Sequence, residues 1–214
     1  VGGCSDWTIT GNSFYQTAAR TFSMTTATDQ GAIFINSVAF GFNFTITNNF
    51  IGGSAPLCAG VPLTWTGGTT GTPTPRFIRF STSTGLPFSN ISNNTIANIS
   101  VTTSSTSTAS GLIAHLNGNV NIDNNTLGSQ TATDNIVFVL ASTSTAPFFL
   151  PIGYGTGANV STINVTNNNL GGITVNTSST GTVSFRIVYG QPVAQSRVNV
   201  SNNTIGGTVA NSIQ

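Results

Sequence analysis

One phrase is written six times along this chain: an aliphatic residue, a polar residue, an Asn-Asn or Gly-Asn pair, one further residue, then an apolar one. The copies are Ile9-Thr10-Gly11-Asn12-Ser13-Phe14, Ile46-Thr47-Asn48-Asn49-Phe50-Ile51, Ile91-Ser92-Asn93-Asn94-Thr95-Ile96, Ile122-Asp123-Asn124-Asn125-Thr126-Leu127, Val165-Thr166-Asn167-Asn168-Asn169-Leu170 and Val200-Ser201-Asn202-Asn203-Thr204-Ile205. The second asparagines are separated by 37, 45, 31, 43 and 35 residues. Constant order with variable spacing is what a stacked solenoid with loops of differing length produces.

Within each copy the apolar residues alternate up to the Asn pair and then change phase. Val120 and Ile122 share one parity, and Leu127 has the other. A strand that switches its inward parity over so few residues must turn a corner. The first site of the pair is Gly once and Asn five times, the two residues that best tolerate the left-handed backbone region. The second site is Asn in every copy, so its side chain is required. In-register carboxamides about 4.8 Å apart can donate and accept along a row. This satisfies buried amides that would each otherwise cost on the order of a few kcal/mol. Asn12, Asn49, Asn94, Asn125, Asn168 and Asn203 are therefore expected to form an internal ladder.

Further strand-like runs lie between the corners at Ala32–Ile35, Arg76–Phe80, Gly111–Leu116, Asn135–Leu140 and Val183–Val188, giving two or three short strands per turn. No stretch carries a 3.6-residue apolar period with caps, so little or no helix is expected. The fold class is all-β: a right-handed parallel β-helix of about six irregular coils, roughly 25–30 Å tall at one strand spacing per coil.

The phrases Val200-Ser201-Asn202-Asn203-Thr204-Ile205-Gly206-Gly207 and Ala210-Asn211-Ser212-Ile213 resemble the right-handed parallel β-helix repeats of large secreted bacterial surface proteins, especially those exported by the type IX pathway. The resemblance covers nearly the whole chain and implies a bacterial extracellular or cell-surface location, with secretion machinery as a partner. It is specific for fold and weak for function, because lyase-like enzymes, adhesins, tailspikes and passive stalks all use such helices.

Composition narrows the choice. Charged residues are 4% of the 214, with a net charge of +1 and neither Lys nor Glu, against roughly 25% in an ordinary soluble domain. Hydrophobic residues make up 38% and include 14 Phe, enough for a core and unlike a disordered chain. Scattered arginines argue against nucleic acid as a partner. No apolar run reaches the ~18 residues of a membrane span, so no membrane insertion is expected. Residues 1–214 read as one continuous domain, with loop insertions near 54–75 and 145–157, and the absence of a polar cap at Ser212-Ile213-Gln214 reads as a segment of a longer chain or a contact with another copy. Cys4 and Cys58 are candidates for a disulfide across the first two coils, with two isolated thiols as the alternative.

Candidate chemistry is sparse. Glycan hydrolysis needs clustered carboxylates, and only Asp6, Asp29, Asp123 and Asp134 are available, with Asp123 and Asp134 as one conceivable pair. His115, the sole histidine, lies on the face opposite Leu112, Ala114 and Leu116 and reads as an ordinary strand residue. Asn117, Asn119, Asn121 and Asp123 form a comb too neutral to hold calcium well. Gly153 to Ala158 lacks the helix and Lys of a phosphate loop. Arg76 and Arg79, interleaved with Phe77, Ile78 and Phe80, could form a small basic-aromatic patch but read as a solvated or edge-protecting face. No catalytic residue, metal site or cofactor is expected.

Ligand contact, if any, falls to the aromatics of the two insertions. Trp65 and Tyr154 could stack on a sugar ring, or fold back with Phe148, Phe149 and Leu150 as a plug. Thr/Ser tracts at Thr25–Thr28, Thr102–Thr108 and Ser142–Thr145 suggest an ice-binding face but are unevenly spaced. The expectation is a non-catalytic structural or adhesive β-helix whose partners are surface glycans or other copies of the protein. A glycan-binding or glycan-cleaving module is the alternative, and an ice-binding protein the third.

Overall fold

The computed structural model describes residues 4–22, 28–67, 73–103, 109–140, 148–155, 159–177, 183–191 and 193–214. The chain winds through four parallel sheets in turn, coil after coil, forming a parallel β-helix. The first sheet stacks Thr8–Thr10, Thr45–Thr47, Ser89–Ser92, Val120–Asp123, Thr162–Thr166 and Arg197–Ser201. The second stacks the short segments just after each Asn pair: Ser13–Phe14, Phe50–Ile51, Thr95–Ile96, Thr126–Gly128, Asn169–Gly171 and Thr204–Ile205. The third runs from Arg20–Phe22 through Leu63–Gly67, Ile99–Thr103 and Ile136–Leu140 to Ile173–Thr177. The fourth is built on Pro73–Thr82, Ala109–Asn117 and Phe148–Tyr154, flanked by Thr28–Gln30 and Ile33–Ser37 at one end and by Ser184–Phe185 and Val188–Gly190 at the other.

Register follows the repeat. Ile9, Ile46, Ile91, Ile122, Val165 and Val200 form one inward row, and Phe14, Ile51, Ile96, Leu127, Leu170 and Ile205 form the next. Most members of both rows are fully buried, and each such side chain contributes about 1.5–3 kcal/mol of transfer free energy. In the last coil Val198, Val200 and Ile205 are exposed.

Between these two rows the backbone turns as the repeat predicts. The first residue of every pair has positive φ: Gly11 69°, Asn48 56°, Asn93 56°, Asn124 51°, Asn167 56° and Asn202 57°. That single left-handed residue rotates the chain so that the next one, the second Asn, points inward. Just beyond the corner, Gly128 has φ +83°, and a Cβ there would lie 1.9 Å from the Gly171 carbonyl oxygen of the next coil, so both conformation and spacing require glycine.

Two departures from the sequence reading concern the supposed insertions. Leu63–Gly67 and Phe148–Tyr154 are core strands, which raises the count to four strand positions per turn instead of two or three. Pro62 and Pro73 mask the first of these strands in sequence, and Pro151 masks the second. Phe77 and Ile78, like Leu112 and Ile113, are buried as adjacent pairs, so the fourth sheet bends there. Pro151 stands beside Leu112 at that bend, where ladder pairing lapses and its missing N–H leaves no gap. Residues 54–62 do form a loop, with a short 3-10 turn at Pro56–Cys58, the one helical segment among the described residues.

Candidate functional site

The internal ladder is complete. Each side-chain Nδ2 donates to the Oδ1 of the next coil: Asn12 to Asn49 at 3.0 Å, Asn49 to Asn94 at 3.0 Å, Asn94 to Asn125 at 3.0 Å, Asn125 to Asn168 at 2.9 Å and Asn168 to Asn203 at 2.9 Å. The backbone N–H of each donor residue shares the same oxygen. From Asn49 onward the second Nδ2 hydrogen goes to a carbonyl of the preceding coil, such as Ile91 O from Asn125 at 2.9 Å, whereas that of Asn12 goes to Thr10 O in its own coil. All side-chain valences of the interior amides are used, which explains why Asn is fixed at this site.

The titratable groups are dispersed. Asp29 pairs with Arg76 at 3.2 Å and Arg79 at 2.6 Å, and the Arg79 guanidinium lies 4.4 Å above the Phe34 ring. Burial pulls Arg76 below its ordinary pKa, and Asp29 opposes that pull. Asp123 accepts from Thr166 Oγ1 at 2.5 Å and Asn167 Nδ2 at 2.8 Å on the first sheet. Asp134 accepts from Thr174 Oγ1 at 2.5 Å at the corner before the third sheet, so Asp123 and Asp134 serve separate neighbours. Asp6 accepts from Asn43 Nδ2.

His115 is fully buried. It does lie opposite Ala114 and Leu116, as alternation requires, but its face is the core, shared with Ile113. Its ring stacks near Phe80, centroids 6.2 Å apart, and Nε2–H donates to Gly118 O at 3.0 Å. Burial drives its pKa down to about 4. Among the described residues no group of three or more His, Cys, Asp or Glu side chains gathers as metal ligands would.

Trp65 and Tyr154 are not brought together. Trp65 is a core residue at 5% exposure, stacked on Phe77 at 4.9 Å, edge-on to Phe22 at 5.3 Å, with Nε1–H donating to Gln16 Oε1 at 2.9 Å. At that exposure it presents little ring surface on which a sugar could stack. Tyr154 lies two coils further along, at the end of its fourth-sheet strand, partly buried against the core. Phe149 is interior, tilted against Phe138 with ring centroids 4.3 Å apart, and Phe148 packs under Arg186. The Thr/Ser tracts fall mostly outside the described residues, at 25–27, 104–108 and 142–145, as does the 156–158 part of the glycine-rich segment.

Cys4 and Cys58 are not joined. Cys58 faces the Thr95 carbonyl, its Sγ 3.8 Å from that oxygen, whereas the Cys4 carbonyl receives the Ser37 hydroxyl. The two residues sit against different segments of the coil. Burial pushes the Cys58 thiol up to about 11.

The sequence reading placed Asn121 and Asp123 together on one strand face but missed that this outer face of the first sheet stacks from coil to coil. Each repeat carries one outward residue before and one after its first aliphatic residue. The pairs are Thr8/Thr10, Thr45/Thr47, Asn90/Ser92, Asn121/Asp123, Asn164/Thr166 and Asn199/Ser201. They stack into two polar columns bordering an open trough of ≈ 370 Å³ along Asn90, Asn121, Asn164 and Asn199. The signal was in the repeat itself, one position ahead of the phrase. Known protein families, curated proteins and solved structures were compared with this chain, and none matches it.

Proposed function

We propose that the chain is a non-catalytic structural or adhesive β-helix of a secreted or cell-surface protein. The observation that carries this reading is the engagement of its ionisable groups. Asp6, Asp29, Asp123 and Asp134 each hold a neighbouring coil or segment, and His115 is a neutral core residue. General acid-base chemistry needs titratable groups converging on one accessible point, and glycoside hydrolysis needs two carboxyls facing each other across the scissile bond. Here the same groups tie coil to coil. Stability rests on the Asn ladder and the apolar rows, so the scaffold depends little on screened surface ion pairs and suits an exterior of changing salt.

The test is to incubate the chain with a panel of neutral and acidic polysaccharides and assay for new reducing ends, alongside adhesion of chain-coated beads to glycan-coated surfaces. Adhesion without release supports the scaffold reading. Release that disappears in Asp123→Asn would replace it with a hydrolase.

A further inference from the structure

The interior Asn ladder has an exterior counterpart that the core does not need. On the outer face of the first sheet, Asn121 Nδ2 donates to Asn90 Oδ1 at 2.8 Å and Asn164 Nδ2 donates to Asn121 Oδ1 at 2.8 Å. Asn199 continues the column in register. Beside it, Thr166 and Asn167 are tied to Asp123, and Asn124 Nδ2 donates to Asn93 Oδ1 at 2.6 Å. A carboxamide has two N–H donors and two acceptor lone pairs. The Asn121 amide spends one of each on its neighbours, and among the described residues the others have no partner. Asn90 Nδ2 also donates to Phe88 O at 3.4 Å, and the valences left over on Asn90, Asn121 and Asn164 recur about 4.8 Å apart, a spacing close to the length of one sugar unit in an extended chain.

Resting on the adhesive reading above, we propose that this trough binds a neutral polysaccharide strand lying along the coil axis across Asn90, Asn121, Asn164 and Asn199. The chemistry of the walls selects the occupant. Among the described residues every lining side chain is an amide, a hydroxyl or the Asp123 carboxylate, and none is a cation; Arg197 stands two residues before Asn199, at the margin. A sulfated, phosphorylated or uronate chain would lose hydration there without a counter-charge. An apolar ligand would leave the amides unpaired. A neutral polyol both donates and accepts at each unit, as the column does. Because neighbouring coils hold the amides in place, little side-chain entropy is lost on binding.

The experiment uses the whole chain on an array of immobilised neutral hexose oligosaccharides, α- and β-linked, with their uronate and sulfated counterparts. Retention is expected on one or more neutral chains, rising with chain length up to four units. The double variant Asn121→Ala/Asn164→Ala should lose at least tenfold in affinity while keeping its urea midpoint. Thr64→Ala/Ser100→Ala, an outward polar pair on the third sheet, should bind like the parent. If the double variant proves unstable, Asn121→Asp serves in its place: it keeps the shape, sets a second carboxylate beside Asp123, and should abolish retention. No retention on any neutral chain, preference for the charged counterparts, or equal retention by the trough variants would overturn the assignment. So would ice-growth inhibition lost in the double variant without glycan retention. Adhesion to other surfaces without glycan retention would sink this assignment alone, whereas cleavage of the array would sink the scaffold reading beneath it.

Discussion

Asn125 Nδ2 and its own backbone N–H converge on a single oxygen, Asn168 Oδ1, at 2.9 and 3.0 Å in the next coil. On its other side Asn125 Oδ1 receives the matching pair from Asn94. One side chain therefore settles four hydrogen bonds, two as acceptor and two as donor, counting its bond to Ile91 O. Asn125→Leu strands the Asn94 donors in the buried core and leaves the Ile91 carbonyl and Asn168 Oδ1 short of partners. Each orphaned buried group costs about 1–3 kcal/mol, so the loss should exceed about 3 kcal/mol, read as a large fall in urea midpoint. Asn12→Leu, at the exposed end of the row, should cost much less. Equal midpoints for Asn125→Leu and the parent would refute the ladder as a source of stability.

The residue before each ladder Asn makes a separate demand, on backbone alone. Asn124 has φ 51°, and its side chain lies on the surface, donating to Asn93. Asn124→Gly should be close to neutral, whereas Asn124→Ala should cost about 1 kcal/mol for placing a Cβ in the left-handed region. Gly128→Ala should be worse than either, because its Cβ would meet the Gly171 carbonyl at 1.9 Å as well. The order Gly128→Ala, Asn124→Ala, Asn124→Gly in chemical denaturation checks the argument, and a tolerated Gly128→Ala would contradict it.

These corners were legible in sequence because their physics is local: one left-handed residue, one inward amide, one parity switch. The inward rows were legible wherever alternation ran unbroken, as in Ile136–Leu140. Leu63–Gly67 and Phe148–Tyr154 were not, since proline reads as loop unless the bend that accommodates it is already known. For His115 the alternation was readable but not the side on which the core lay, because the bend at Leu112 buries both parities. For Trp65 the sequence left a sugar platform and a folded-back plug both open, because its flanks are proline-rich and its neighbours Phe22 and Phe77 are distant in sequence. The outer Asn column went unseen because its meaning depends on register between coils, which no single repeat contains.

His115 links the core to pH. Its pKa is about 4 in the folded chain against 6.5 for an ordinary histidine, because burial disfavours the imidazolium. The unfolded chain therefore binds a proton that the folded chain does not, at any pH between those values. Stability should be unaffected above about pH 6.5, fall as pH drops from there towards 4, and level off below, with a total loss on the order of 3 kcal/mol. His115→Phe, which keeps the contact with Phe80, should flatten that slope in denaturation midpoints measured from pH 7.5 to 4. A parent and variant that fall in parallel would show that the aspartates, not His115, set the acid response.

Cys58 offers a readout of local opening. Its thiol is pushed up to about 11 by burial, more than the Ala97 and Ile51 backbone groups draw it down, so the reactive thiolate is scarce at neutral pH. Alkylation by a maleimide at pH 7 should be slow in the folded chain and rise steeply in denaturant, where the pKa returns to the ordinary thiol range. Cys4 should be examined in the Cys58→Ala background and Cys58 in the Cys4→Ala background, so that each rate is assigned by mass. Asn98, at φ 56°, donates through Nδ2 to the Cys58 and Gly60 carbonyls at 3.1 and 2.9 Å, so Asn98→Gly removes the clamp on the 54–62 loop without placing a Cβ in the left-handed region. That change should speed Cys58 labelling severalfold with little effect on the global midpoint. A rate equal to that of an unfolded-peptide thiol in the parent chain would mean that the loop is already open in solution.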